Sequence, residues 1–176
     1  MPRLQFFIPC DRVLVNKEDQ DLSIIGVLDG LSIEIEDPKL PDNGKTLSLP
    51  HNWTTIAQWR RVSGDEKTAF QQRVQIVLPN GKLSGQSLSS TIFLTAPIAV
   101  LASRGTALPF IGSGTYLFRL SYRLGVYKEQ EKEKGWKTAS EYPISITAGS
   151  SKKGDSDEGI VAEGVPQDGT PDGRGI

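Results

Sequence analysis

Hydrophobic and polar residues alternate along Gly114–Arg123, where Tyr116, Phe118, Leu120 and Tyr122 occupy every second position. In a β-strand, a period of two places these four side chains on one face and the polar residues between them on the other. The pattern predicts a strand whose apolar face covers a hydrophobic core.

Two further strand patterns lie near the start of the chain. Leu4–Val15 is apolar at several positions but contains Pro9, and a proline inside a strand marks an edge, a bulge or a break. We therefore expect two short strands or one bent strand there. Leu22–Leu28 is mostly apolar, and Asp29-Gly30 supplies a turn before Leu31–Glu36 alternates, so this region predicts a hairpin.

A second hairpin is predicted from Phe70–Leu78 and Lys82–Leu94, because the Pro79-Asn80-Gly81 segment between them tolerates the positive φ angles of a tight turn. Asp37–Asn52 holds three prolines with little periodicity, and it predicts a long loop. Ala96–Ala102 is short and apolar, which leaves it ambiguous between a strand and a helical turn.

Trp53–Val62 and Tyr142–Thr147 complete the predicted strands. The chain has 176 residues, of which 37% are hydrophobic, so one domain with its own core is expected. Seven or eight short strands, without an apolar stretch of helical period, predict an all-β, antiparallel sandwich of two packed sheets.

The composition changes at Gly149, where the sequence becomes rich in glycine, proline and aspartate. Residues 149–176 hold three basic and six acidic side chains and few apolar ones. Because so little apolar surface could offset the entropy of ordering this segment, we expect a disordered acidic tail. The predicted organisation is a β-sandwich domain over residues 1–148 and the tail over residues 149–176.

Charge and cysteine content narrow the possible partners and location. The net charge of −1 argues against binding to nucleic acid, because proteins that bind nucleic acid usually have lysine and arginine concentrated in one surface patch. No window approaches the ~18 apolar residues of a membrane span. Cys10 is the single cysteine and forms no intrachain disulfide, which fits a reducing compartment. The apolar run before Cys10 is shorter than an export signal requires, so a cytoplasmic protein is expected.

The segment Gly114-Thr-Tyr-Leu-Phe-Arg-Leu resembles the penultimate strand of immunoglobulin-like domains, in which a glycine and a tyrosine open a strand that alternates through the core. Tyr142-Pro-Ile-Ser-Ile would then be the final strand. The cysteine pair and partnering tryptophan of antibody domains are missing, so the resemblance implies an immunoglobulin-like architecture and no more.

A second resemblance involves Cys10-Asp-Arg-Val-Leu-Val and Leu22-Ser-Ile-Ile-Gly-Val-Leu-Asp-Gly. They are similar to the opening of an uncharacterised family of small bacterial proteins, a domain of unknown function. Pro79-Asn80-Gly81 and Gly114-Thr115-Tyr116 follow in the order of that family's later motifs. The resemblance implies bacterial origin and a sandwich. Since the family has no established activity, it implies no site residues.

Residues suited to catalysis or metal binding are few. His51 is the one histidine, so with Cys10 it falls short of the about four ligands of a structural zinc site. Glu34, Glu36 and Asp37 lie close together in the sequence, and two carboxylates suffice for glycoside hydrolysis. A hydrolase that uses these residues is therefore a third hypothesis, and it is the weakest of the three. Alternation places Glu34 and Glu36 on a solvated strand face. We predict no enzyme, catalytic residue, metal or cofactor.

The leading hypothesis is a non-enzymatic module that binds a protein partner through the 125–140 connection or through an open sheet edge near Pro9. Loops at sandwich ends often carry recognition. Tyr127, Lys134 and Trp136 are the candidate contacts, and an exposed Trp136 would be the anchor. The alternative for this residue is that it folds back onto the sheet. The sequence leaves the oligomeric state open.

Trp53 and Trp59 support a second hypothesis, a carbohydrate or small-ligand module. Six residues separate them, so a regular strand presents both on one face. An outward face would form a stacking platform, whereas an inward face would place both rings in the core.

Overall fold

The computed structural model describes residues 1–16, 21–35, 46–62, 64, 69–125 and 133–150, without the side chains of residues 35, 86 and 150. Nine β-strands account for most of these residues. They are β1 (Arg3–Val15), β2 (Leu22–Val27), β3 (Gly30–Ile35), β4 (Leu47–Arg60), β5 (Ala69–Val77), β6 (Leu83–Phe93), β7 (Ile98–Phe110), β8 (Gly114–Leu124) and β9 (Lys137–Ser150).

The strands form two sheets, one of four strands in the order β2-β1-β4-β7 and one of five in the order β3-β9-β8-β5-β6. Several neighbours are far apart in sequence, as in the Greek-key connections of immunoglobulin-like sandwiches. The predicted all-β sandwich is confirmed. One feature departs from an antiparallel fold, because β3 pairs with β9 in parallel.

The core lies between the sheets and is built by alternating side chains. On β8, Tyr116, Phe118 and Leu120 are fully buried, which confirms the period-two pattern of this strand. Opposite them, β4 contributes Trp53 and Trp59.

A tyrosine fixes the corner between β7 and β8. The Tyr116 hydroxyl donates to the Gly112 carbonyl at 2.8 Å and accepts from the Ile111 N–H at 3.0 Å. Burial raises the pKa of Tyr116, so the hydroxyl keeps its proton at neutral pH. A tyrosine that bonds backbone a few residues upstream is the tyrosine corner of immunoglobulin-like folds, and it extends the predicted resemblance from sequence to geometry.

Pro9 lies within one long strand, at the point where β1 changes partners. The β1–β4 ladder runs from Arg3 to Cys10, and the β1–β2 ladder begins at Cys10. The Pro9 carbonyl accepts from the Leu28 N–H, on the side away from β4. A residue of an antiparallel strand directs its N–H and C=O to the same side, so the missing proline N–H removes no bond to β4.

The first predicted hairpin is wrong, because β2 and β3 belong to different sheets. Leu28, between them, is buried in the core, and the chain crosses the sandwich there. The Asp29 carbonyl then accepts from the Ser145 N–H of β9. The Asp-Gly pair thus begins a crossover and not a hairpin turn.

The second hairpin is confirmed. β5 and β6 pair antiparallel, and Gly81 in the turn has a φ of +79°. The Asn80 side chain accepts from the Lys82 N–H at 3.0 Å, which closes the turn.

Three strands extend beyond the predicted segments. Residues 47–52, predicted as loop, belong to β4. In the segment 96–102, which the sequence left ambiguous, residues 98–102 form the start of strand β7, and β7 continues to Phe110. β9 ends at Ser150, so it includes two residues that the prediction assigned to the tail. Residues 151–176 lie outside the described part of the chain.

Gly105 of β7 allows the Trp53 indole to lie against the backbone. A Cβ at this position would overlap the six-membered ring of Trp53. Trp53 Nε1–H donates to the Ala107 carbonyl at 2.9 Å, and its ring meets Phe118 edge-on at a centroid distance of 4.9 Å. The glycine is therefore required by the core.

We predict that Gly105→Ala lowers the free energy of unfolding by about 1–3 kcal/mol, because the added methyl group overpacks a buried ring. Chemical denaturation measures the change. The control is Gly85→Ala, since a Cβ at Gly85 meets open space; it should change stability by less than about 0.5 kcal/mol. Equal effects of the two substitutions would contradict the close approach.

Candidate functional site

The structure places Trp53 and Trp59 in the core, 4% and 1% exposed. Trp59 Nε1–H donates to Gln72 Oε1 at 2.9 Å, and its ring packs on Phe70 and Tyr122. The expectation that both rings share one strand face is correct. That face is the inward one, so the ligand platform of the second hypothesis does not exist in this fold.

Trp136 contacts two arginines on the outer face of the five-stranded sheet. The guanidinium carbons of Arg73 and Arg123 each lie 4.4 Å from the Trp136 ring centroid. We call these three residues the Arg–Trp cluster. Arg73 and Arg123 point away from the core yet are only 8% and 5% exposed. The segment 133–136 therefore folds back over the sheet, which was the alternative to an exposed Trp136.

Further bonds hold this segment in place. Arg73 Nη1 lies 2.7 Å from Glu133 Oε2, and Arg123 Nη1 donates to the Lys134 carbonyl at 2.9 Å. Arg123 Nε also donates to Gln71 Oε1 at 2.7 Å. Arg73 Nε is buried and has no hydrogen-bond partner among the described residues. Since buried guanidinium groups are costly to leave unpaired, these contacts fix the 133–136 segment to the sheet.

The structure brings two of the three predicted contact residues together. Lys134 contributes its backbone carbonyl to Arg123, and Trp136 is half-buried on both guanidinium groups. Tyr127 lies outside the described residues. Trp136 is thus a contact within the chain, and its indole is not presented as a freely exposed anchor.

Several exposed apolar residues lie near the connection between β6 and β7. We call this group the β6–β7 patch and define it by Val62, Phe93, Ile98 and Val100, all of them exposed. Phe93 is 63% exposed, the largest value among the exposed large hydrophobic residues described. The Arg61 N–H donates to the Pro97 carbonyl, which places Val62 beside the connection.

The edge strand β6 lacks the usual protection against pairing. Within the described residues, it pairs with β5 and has no ladder partner on its other side. Natural edge strands are usually blunted by charged residues, proline or short length. β6 has eleven residues, and none is charged or proline. The sequence contained this signal, an uncharged serine-rich strand ending in Ile92-Phe93, but sheet order was needed to place it at an edge.

The residues considered for catalysis do not form a site in the described part of the chain. His51 lies in β4, and its Nε2 is buried without a hydrogen-bond partner among the described residues; Glu34 is exposed on β3. Glu36 and Asp37 lie outside the described residues. Among the described residues, no group of three histidine, cysteine or acidic side chains could hold a metal ion.

Cys10 is fully buried where β1 changes partners. Burial raises the pKa of its thiol, and the negative charge of Asp11 raises it further. Because the thiolate is the reactive form, both effects make the thiol unreactive.

No protein-family model matches this sequence, and no curated protein matches it significantly. The resemblance to an uncharacterised bacterial family, and the origin it implies, stay predictions. The residues described here contain no helix with the length and apolar character needed to cross a membrane.

We predict that Trp136→Ala lowers the free energy of unfolding by about 1–2 kcal/mol, because it removes cation–π contacts from two largely desolvated guanidinium groups. Trp136→Phe is the matched control, since it keeps an aromatic ring and should cost less. Urea denaturation of the three proteins provides the comparison. If alanine costs no more than phenylalanine, the ring does not stabilise the two arginines.

For Cys10 we predict slow modification by an aromatic disulfide reagent in the native state and complete modification in denaturant. The native rate should be at least about a hundredfold lower than the unfolded rate, because reaction requires local opening of β1. Release of the chromophore is followed by absorbance, with Cys10→Ser as the blank. A native rate close to that of the unfolded chain would contradict a buried, protonated thiol.

Proposed function

We propose that this protein is a cytoplasmic, non-enzymatic interaction module that binds an extended segment of a partner protein along the edge of β6. The observation that carries the proposal is the combination of an uncharged edge strand with exposed Phe93 at its end. Peptides that add a strand to a sheet gain affinity from main-chain hydrogen bonds and specificity from alternate side chains.

The regular part of the edge has the length that strand addition uses. From Ser87 to Phe93, β6 pairs with β5 without interruption, whereas the register shifts nearer Leu83. Seven residues in register exceed the five or six of a typical strand. Their outward side chains are small and polar up to Phe93, so a partner strand could approach closely.

The β6–β7 patch supplies the apolar contact that such pairing needs. Exposed aromatic side chains are enriched at the centres of interfaces, and Phe93 is the aromatic residue of this patch. Ile98 and Val100 share the outer face of β7, which belongs to the other sheet, so the β6–β7 patch includes exposed apolar residues of both sheets. We propose Phe93 as the anchor residue in place of Trp136, because Trp136 already packs on Arg73 and Arg123.

The open edge near Pro9 is a weaker candidate for the same role. Arg3–Ile8 of β1 pairs with β4 and has no ladder partner among the described residues on its other side. This half-strand carries Arg3 and is followed by Pro9, two of the features that discourage pairing.

We predict that Phe93→Lys reduces capture of the partner from extracts of source cells by at least about tenfold, because it puts a charge on the apolar anchor. Leu14→Lys is the matched control, since Leu14 is also exposed but lies on β1 in the other sheet. Quantitative mass spectrometry compares the captured proteins. Loss of the partner from both variants, or from neither, would contradict binding at Phe93.

Hydrogen exchange of the purified complex tests the strand pairing itself. Amides of Ser87–Phe93 should gain protection when the partner is bound, whereas amides of β2 should not. A self-associated protein with the same protected amides would identify a second copy of this chain as the partner strand. Unchanged exchange in β6 would overturn the proposal.

A further inference from the structure

A second surface of interest lies where the four-stranded sheet divides into a fork. The β1–β4 ladder ends at the pair Cys10 and Thr54. Beyond it, β1 continues beside β2, while β4 continues beside β7 through the pair Trp53 and Gly105. The separating strands enclose a cleft of about 300 Å³, which we call the fork cleft. This volume lies at the lower limit of known small-molecule sites.

Two arginines from different strands line the fork cleft, Arg12 of β1 and Arg104 of β7. Both are exposed, and neither hydrogen-bonds nor forms an ion pair within the described residues. By contrast, Arg119 on the outer face of the other sheet forms an ion pair, with its Nε 2.6 Å from Glu141 Oε1. The two guanidinium groups of the cleft are therefore available to an anion.

Asp11 also lines the cleft, but its carboxylate is directed away from β4. A Cβ at Gly26 of β2 would overlap the Asp11 carboxylate, so this group lies over β2. β2 and β4 flank β1 on opposite sides. The carboxylate is thus directed over β2, and it forms no ion pair with Arg12 or Arg104 within the described residues.

Trp53 and Gly105 lie at the inner wall of the fork cleft. The Trp53 ring occupies the space that a Gly105 side chain would fill and is itself only 4% exposed, so the two residues close the bottom of the cleft. Asn52 and Thr106 add polar groups at the margin. A ligand that fits this volume is small and has an anionic group for the two arginines.

We infer that the fork cleft is a binding site for a small organic oxyanion, either a carboxylate or a phosphate ester. Guanidinium groups bind both oxyanions through charge-assisted hydrogen bonds. This site is independent of strand pairing at β6, because β6 belongs to the other sheet. Failure of one proposal leaves the other in place.

The test is a titration of the full-length ¹⁵N-labelled protein with phenyl phosphate and with benzoate, followed by nuclear magnetic resonance. Saturable shifts are expected at the Trp53 indole N–H and the Gly105 amide, with a Kd on the order of 1 mM for a ligand of this size. A tighter Kd for one probe identifies the preferred oxyanion. Benzyl alcohol, which is neutral, should bind at least about tenfold more weakly.

Arg12→Gln and Arg104→Gln should each weaken binding by about tenfold, because each removes a charge-assisted hydrogen bond. Both side chains are exposed and unpaired, so folding is expected to be unaffected, which the dispersion of the same spectra verifies. Arg60→Gln is the matched control, since Arg60 is an exposed arginine of β4 outside the cleft. Absence of saturable shifts, equal binding of benzyl alcohol, or equal effects of all three substitutions would overturn the proposal.

Discussion

The two tryptophans of β4 join the sheets, and the rest of the structure depends on this packing. The ring centroids of Trp53 and Phe118, which belongs to the opposite sheet, are 4.9 Å apart, and those of Trp59 and Phe70 are 5.1 Å apart. Trp59 also donates its indole N–H to Gln72 across the sandwich. Aromatic side chains bury large areas, but a buried indole N–H without a partner would cost about 1–3 kcal/mol. Gln72 removes that cost, so it is required inside the core despite its polarity.

The position of these rings determines what surrounds them. Gly105 must lack a side chain because the Trp53 ring lies against it, and the Ala107 carbonyl must face the ring to accept its N–H. Both residues belong to the part of β7 that pairs with β4. β4 continues beside β7 through an irregularity between Pro50 and Trp53, whereas β1 leaves β4 after Cys10 and pairs with β2, so the sheet opens into a fork there.

The sequence was sufficient for elements whose information is local. The alternation of β8 and the Asn80-Gly81 turn each involve a few adjacent residues, and both were predicted correctly. Sheet membership is not local, so the crossover at Leu28 had the same signature as a hairpin turn. β4 was predicted to begin only at Trp53, because Pro50 and the prolines before it are typical of a loop. Here, a register shift accommodates the segment from Pro50 to Trp53.

The candidate surfaces were harder to predict than the fold, because each depends on residues that are distant in sequence. Arg73 and Arg123 read as a solvated strand face by alternation, and nothing local shows that Trp136 returns to cover them. Likewise, Phe93 is one apolar residue at the end of an alternating segment until the sheet order places it at an edge. The periodicity of the sequence identifies the two faces of a strand. Which of these faces and edges are exposed to solvent depends on the strands and segments that pack beside them.

The Trp53 ring borders both the fork cleft and a small pocket of about 30 Å³ that Leu88 of β6 also lines. A ligand in the cleft could influence β6 through this ring by displacing it. The bond to Ala107, the contact with Gly105 and the packing on Phe118 all oppose that displacement. Close-packed interiors transmit a change when side chains switch between discrete arrangements. The three contacts of the Trp53 ring favour only its present arrangement. Occupation of the fork cleft and pairing along β6 should therefore be energetically independent.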